Sequence, residues 1–216
     1  MSGLYVYGIV DRSMRVRARG IFGHTLRTVR AAGLLAIVES ASRPPKASLQ
    51  KLRAQSRVVA AIVARGADVL PARFGAFVPS AGDLEKALAD RRAELARALA
   101  DVRGCLQMTV RVRATAEPHR RVTARSGGAY LRARAAQARA RRRDPLLRAL
   151  ARAASPYVRA TRIEWHERVP LASMHHLVPR AKLDAYESAI AREVERRGAH
   201  AVLSGPIAPF AFAEMA

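Results

Sequence analysis

The sequence predicts an α+β protein of two domains, and three observations carry that expectation. Apolar residues alternate with period two in some stretches and recur at helical spacing in others. A leucine-striped helix closes at Gly104 and gives way at once to an alternating strand, which sets a domain boundary there. The second half then reads strand, helix, strand, strand, helix, strand, a split-βαβ order. A chain of 216 residues, half of them hydrophobic, is long enough for one large domain or two smaller ones with their own cores. The expected domains are residues 1–103 and 104–216.

Taken in order, residues 4–10 (LYVYGIV) form a β-rich run, and the polar, basic stretch 11–24 with Gly20 and Gly23 reads as a loop. TLRTVR and LLAIVES are strand-like and hinge at Ala32-Gly33 as a hairpin. Pro44-Pro45 breaks the chain. Ser48 is placed to cap a helix running to about Arg65, with Leu49, Leu52, Val59 and Val63 as its apolar face. Residues 68–78 (DVLPARFGAFV) are extended, although Pro71 speaks against a central strand. One long helix follows from Gly82-Asp83, striped by Leu84, Leu88, Leu95, Leu99 and Val102.

In the second half, strand 105–114 points Leu106, Met108, Val110 and Val112 one way and Arg111 and Arg113 the other. A long Ala/Arg-rich helix is expected from about Ser126 to Ala154, with a break at Asp144-Pro145 because proline disfavours helix at the residue before it. Strands are expected at 157–167 and 171–178. Pro179 then opens a helix whose buried stripe is Leu183, Tyr186, Ile190 and Val194, and a last strand covers 200–204.

The formal charge is +22, from 39 basic and 17 acidic residues. Only Lys46, Lys51, Lys86 and Lys182 are lysines; the other basic residues are arginine. The excess peaks over residues 101–150, where 13 basic residues face 3 acidic ones. Such a patch is the electrostatic footprint of a nucleic-acid binder. The alternative is an arginine-biased proteome filling solvated helix faces, which the scarcity of lysine favours, since both residues serve at phosphates. A basic nucleic-acid-binding α+β module using the helix Arg132–Arg152 therefore stands as the alternative function. Against it, aromatics are 5% of residues and strand 105–114 has none, whereas sheet platforms for RNA carry stacked aromatics.

The sequence carries few residues in patterns that point to chemistry. No phosphate loop, dinucleotide fingerprint, HExxH or GxSxG is present. The single cysteine, Cys105, cannot pair internally and reads as a packed thiol, as expected in a reducing, cytoplasmic compartment. The N-terminal apolar run reads as a strand rather than a leader, and no apolar run reaches the ~20 residues that span a bilayer. His175 and His176 are adjacent on a strand and point to opposite faces, while His166 can approach one of them across a hairpin, with Glu164 or Glu167 nearby. A solvated cross-strand pair is the simpler reading than a metal site. Ser126-Gly127-Gly128 reads as a helix cap. No nucleophile, base and orienting group can be assembled from spacing, so a non-enzyme without cofactor is expected.

Five segments in order resemble one family: YVYGIV (5–10), VLPARFGAFV (69–78), SGGAYLRAR (126–134), PLASMHHLVPR (170–180) and LSGPIAPFAF (203–212). Together they are similar to the GvpL/GvpF family of gas vesicle proteins, with its aromatic first strand, its VLP-x-RFG segment and its C-terminal SGP motif. The chain departs from that pattern in having Ile207 where an aromatic is usual, Phe210 without a hydroxyl, and a more basic composition. The resemblance implies a modified ferredoxin-like N-terminal domain and an accessory role in gas vesicle assembly. It also implies contacts with the major shell protein and other accessory proteins, with no catalytic residues to transfer. Neither a specific nucleic acid nor a membrane is expected as partner, and the expected location is the cytoplasm and the gas vesicle.

The motif residues suggest where partners touch. In LPARFG, Pro71 sets extended backbone, Arg73 is expected to bond carbonyls or a carboxylate, Phe74 packs and Gly75 permits a turn. In the tail, Phe210 and Phe212 are expected on one face, either capping a core or presenting an apolar edge. Arg73, Phe74, Phe210 and Phe212 are thus the candidate partner contacts, beside the simpler reading that both segments only hold the fold together.

Overall fold

The computed structural model describes residues 3–113, 126–129, 131, 144–166 and 171–213. They form two compact units, Met1–Gln107 with Ile207–Ala216, and Met108–Pro206. The split falls after Gln107 rather than at Gly104, and the C-terminal tail counts with the first unit although the sequence reading placed it in the second.

In the first unit, β1 (Gly3–Val10) is buried along its whole length, as a strand covered on both faces must be. It pairs antiparallel with β3 (Leu34–Ala41) on one side and with β4 (Val69–Pro71) and β5 (Phe77–Val78) on the other. β2 (Arg27–Ala31) forms the expected hairpin with β3, turning at Ala32 (φ 49°) and Gly33 (φ 77°). The sheet order is β2-β3-β1-β4. That is the ferredoxin-like order, but a loop spanning residues 11–26 connects β1 to β2 where such a fold has a helix.

α1 (Leu49–Ala64) packs on the Tyr5 and Tyr7 face of this sheet; Ser48 caps it by accepting from the Lys51 N–H. Its buried face is Gln55, Val58, Val59 and Ile62. The face expected from Leu49 and Leu52 is wrong at its start, because both are exposed, at 63% and 43%. At ~100° per residue Leu49 lies towards the outer side and Leu52 on the flank of a helix whose inward direction is set by residues 58, 59 and 62. The opposite face of the sheet is covered by two helices rather than one, α2 (Ala81–Asp90) and α3 (Arg92–Val102), separated at Arg91 (φ −118°, ψ 15°). All five stripe residues are buried as expected. The break lets α2 follow β1, β2 and β5 while α3 turns to β1 and β4, which a straight rod cannot do across a twisted sheet.

In the second unit the order β6 (Cys105–Arg113), α4 (Pro145–Ala154), β7 (Ala160–Trp165), β8 (Leu171–Pro179), α5 (Leu183–Arg196), β9 (Ala201–Ile207) matches the expected βαββαβ sequence of elements. Its sheet order is β7-β8-β6-β9, so first, second, third and fourth strands are arranged as in the first unit. Met108, Val110, Val112, Leu147, Leu150, Met174, Tyr186 and Ile190 form the core. Asp144 caps α4, its Oδ1 accepting from the N–H groups of Leu146 and Leu147 at 3.0 Å, with Pro145 at the first helical position. The expected break at Asp144-Pro145 is therefore a helix start. The arginine-rich stretch 132–143 lies outside the described residues, so the helix expected across it is not described. Pro179 ends β8, and a short 3-10 turn at Arg180–Lys182, not Pro179 itself, leads into α5.

Candidate partner-binding site

The LPARFG segment is built around Tyr5. Its ring is fully buried and its hydroxyl donates to Gln55 Oε1 at 2.5 Å while accepting from the Gly75 N–H at 3.2 Å. Gln55 in turn donates to the Ala72 carbonyl at 2.9 Å. Strand β1, helix α1 and the turn at 72–75 are thus joined by one buried polar chain whose members are all satisfied. Burial raises the Tyr5 hydroxyl above its ordinary pKa, partly offset by the Gly75 hydrogen bond. The turn closes through the Ala76 N–H to the Arg73 carbonyl, with Gly75 at φ 97°, a backbone region that side chains with a Cβ rarely adopt. Pro71 and Ala72 sit inside, Phe74 is half-buried edge-on to Tyr5 (6.3 Å, 60°), and Arg73 is exposed. The Arg73 guanidinium has no hydrogen-bond or ion-pair partner among the described residues, contrary to the expected carbonyl or carboxylate contact. The segment therefore lifts one cation and one ring edge to the surface on a rigid turn.

The tail places its residues differently from the expectation. Phe210–Phe212 forms a 3-10 turn, so the two rings do not share an extended face. Ala208, Pro209 and Ala213 are buried, Ala208 within the core beneath α1, whereas Phe210 is 38% exposed and Phe212 half-buried. Gln107 holds the turn by accepting from the Ala211 N–H at 2.8 Å. Small residues anchor the tail and the phenylalanines lie at its surface, with Ile207 also exposed.

A second polar centre in the same unit escaped the sequence reading. Glu39 is completely buried on β3, and its carboxylate accepts from the Tyr7 hydroxyl (2.7 Å), the Phe22 N–H (3.1 Å) and the His24 N–H (2.8 Å). Tyr7 also accepts from the Ile21 N–H at 2.7 Å. These bonds satisfy a buried charge and tether the loop that stands in place of the ferredoxin-like crossover helix. Burial, then the hydrogen bond to Glu39, pushes the Tyr7 hydroxyl strongly up. Gly20 is required at this point: a Cβ there would overlap the Glu39 carboxylate and the Tyr7 oxygen. The one signal in the sequence was a glutamate inside the apolar run LLAIVESA opposite a tyrosine-rich strand.

The histidines of the second unit do not converge. His175 and His176 point to opposite faces, as expected. His166 meets Ser173 (2.8 Å), His175 lies between Thr109 (3.0 Å) and Glu164 (3.4 Å), and His176 meets Tyr186 (2.6 Å) inside the core. Burial, and secondarily His175, lowers the His176 pKa to about 4. Its Nε2 has no hydrogen-bond partner among the described residues. No group of three or more His, Cys, Asp or Glu among the described residues can hold a metal ion. Nor is any helix among them long and apolar enough to cross a membrane.

A family model described as gas vesicle synthesis protein GvpL/GvpF matches residues 3–214. The crystal structure of the gas vesicle protein GvpF from an Anabaena species is similar over 100% of this chain and 98% of that one, at TM-score 0.78 and 16% identity. That of GvpF from Microcystis aeruginosa covers 98% of this chain and 99% of its own, at 0.78 and 14%. At those identities the likeness shows a shared fold. No curated protein sequence matches the chain significantly.

Proposed function

The chain belongs to the GvpL/GvpF family of gas vesicle synthesis proteins, and from that premise we propose that it is a non-catalytic accessory protein of gas vesicle assembly that binds the major shell protein and other accessory proteins. The observation that carries the reading is the family match over residues 3–214. We place the contact on the first unit, at the exposed Arg73 and half-buried Phe74 of the rigid turn and at Phe210 and Phe212 of the tail. A turn braced by Tyr5 and Gln55 and a tail anchored by Ala208 and Ala213 present rings and a cation without a large ordering cost, which favours binding. Co-expression of the tagged chain with the shell protein tests this. The shell protein is expected to co-purify, with recovery reduced severalfold by Arg73→Ala with Phe74→Ser or by Phe210→Ser. Failure to co-purify refutes the shell-protein contact, and equal recovery with the variants refutes its location.

A further inference from the structure

We propose that the outer edge of β2 is a docking edge for an extended, acidic polypeptide segment of a partner protein, added as a further strand beside β2. This surface is separate from the turn and tail, and the inference does not depend on which protein those residues meet. Three observations support it. First, β2 is the end strand of its sheet and ladders with β3 alone, and the chain's own antiparallel bridge between Arg19 and Thr25 stops short of it, so the outer backbone row over Arg27–Ala31 is not committed to the sheet. Second, residues 12–38 hold six arginines, Arg12, Arg15, Arg17, Arg19, Arg27 and Arg30, and not one aspartate or glutamate. Third, the carboxylates that border that stretch or reach the end of β2 already accept hydrogen bonds, Asp11 from the Asp68 N–H at 3.0 Å. Glu39 is buried on the loop amides, and Glu85 accepts from the Ala32 N–H at the end of β2 at 2.7 Å.

The arginines divide by use. Arg12 donates to the Arg65 carbonyl and Arg19 to the Gly23 carbonyl, both at 2.9 Å. Arg15, Arg17, Arg27 and Arg30 are exposed and have no hydrogen-bond or ion-pair partner among the described residues. In the loop, Met14 and Ala18 are half-buried and Val16 is buried, while Arg15 and Arg17 alternate outward. The Thr28 hydroxyl bonds both the Met14 N–H and its carbonyl, which fixes the loop beside β2 on the Thr28 face. Arg30 shares that face, being paired with Leu35 as Thr28 is with Ile37, whereas Arg27, paired with Val38, lies on the other.

An edge flanked by arginine on both faces resists pairing with its own kind, since like charges then oppose each other. It accepts a strand whose side chains alternate and carry carboxylates on both faces, most directly two acidic residues three positions apart opposite Arg27 and Arg30. Arg15 and Arg17 extend the attraction on the Arg30 face. Nucleic acid is the less favoured occupant, because β2 offers a backbone ladder and has no aromatic on which a base would stack.

The test uses the full chain and fluorescence anisotropy. One probe is a fluorescein-labelled threonine/valine peptide carrying two glutamates three positions apart. Its controls are the same peptide with a central proline, the same peptide with lysines for glutamates, and a labelled single-stranded RNA. The acidic peptide is expected to bind, with affinity falling severalfold between about 0.05 and 0.3 M salt. Arg27→Glu with Arg30→Glu is expected to weaken it about tenfold and to confer binding of the lysine peptide, a gain that misfolding would not produce. The proline peptide is expected not to bind, since it cannot complete the ladder. Equal binding of the proline peptide, no gain by the lysine peptide, or tighter binding of RNA than of the acidic peptide would each overturn the proposal.

Discussion

Replacing Glu39 by alanine removes the acceptor of the Tyr7 hydroxyl, which is fully buried with it, and of the Phe22 and His24 amides, which are part-buried. Each donor left without a partner costs about 1–3 kcal/mol. Three such donors, partly relieved by water entering the space of the lost side chain, bring the expected destabilisation to about 3–5 kcal/mol, a large share of a domain's typical stability. Glu39→Gln is milder, at about 2 kcal/mol. Its amide oxygen can still serve the two backbone amides, but its NH2 group then faces the Tyr7 hydroxyl, which already accepts from Ile21 and loses its own acceptor. The loop is the element tethered, so native-state hydrogen exchange is the direct assay. The amides of Ile21, Phe22 and His24 are expected to lose protection in Glu39→Ala while the α3 amides change less. Urea unfolding gives the global figure. Unchanged protection at Phe22 and His24, or a stability loss below about 0.5 kcal/mol, would refute the claim that Glu39 takes over the role of the missing crossover helix.

Other outcomes follow from the same structure. Gly20→Ala is expected to loosen the same loop as Glu39→Ala, because its Cβ would meet the carboxylate and Tyr7; exchange rates at Phe22 check it. His176 is neutral in the folded chain with a pKa lowered to about 4, against an ordinary value of 6.5. The unfolded chain therefore binds the extra proton in that window, and stability, complete above about pH 6.5, falls as pH drops to 4, by at most about 3 kcal/mol. Thermal melts of the parent and His176→Phe across that range test it, and parallel profiles would contradict it. Leu49→Ser is expected to change stability by less than about 0.5 kcal/mol and Ile62→Ala to cost about 2–5 kcal/mol, since the first is 63% exposed and the second fully buried. Chemical denaturation of the two variants distinguishes this inward face of α1 from the one built on its leucines.

What the sequence disclosed, and what it hid, follows from the range of the interactions involved. The β2-β3 hairpin, the Leu84-to-Val102 stripe, an interruption at Asp144-Pro145 and the βαββαβ order were legible because turn residues, proline and periodicity act over a few positions. The phase of α1 was misread because Leu49 and Leu52 fit a helical spacing equally well. Only the packing of Val58, Val59 and Ile62 on Tyr5 and Tyr7 decides which side turns inward. The break at Arg91 answers to the twist of a sheet far away in sequence, and the return of the tail to the first unit is likewise a long-range fact. In the candidate site, the turn at Gly75 and the packing of Phe74 were readable from LPARFG. The bracing by Gln55 was not, since Tyr5 and Gln55 lie 50 residues apart. An Arg73 without a partner among the described residues and the 3-10 turn of the tail ran against expectations drawn from residue type alone.

The proposed role of this chain is to act in building gas vesicles. Deleting its gene in its own host and counting vesicles by electron microscopy, with the intact gene restored on a plasmid, tests that most directly. Loss or stunting of vesicles in the deletion and their recovery with the restored chain is the predicted result. Normal vesicle number and shape without the chain, or a host that forms none, would contradict it.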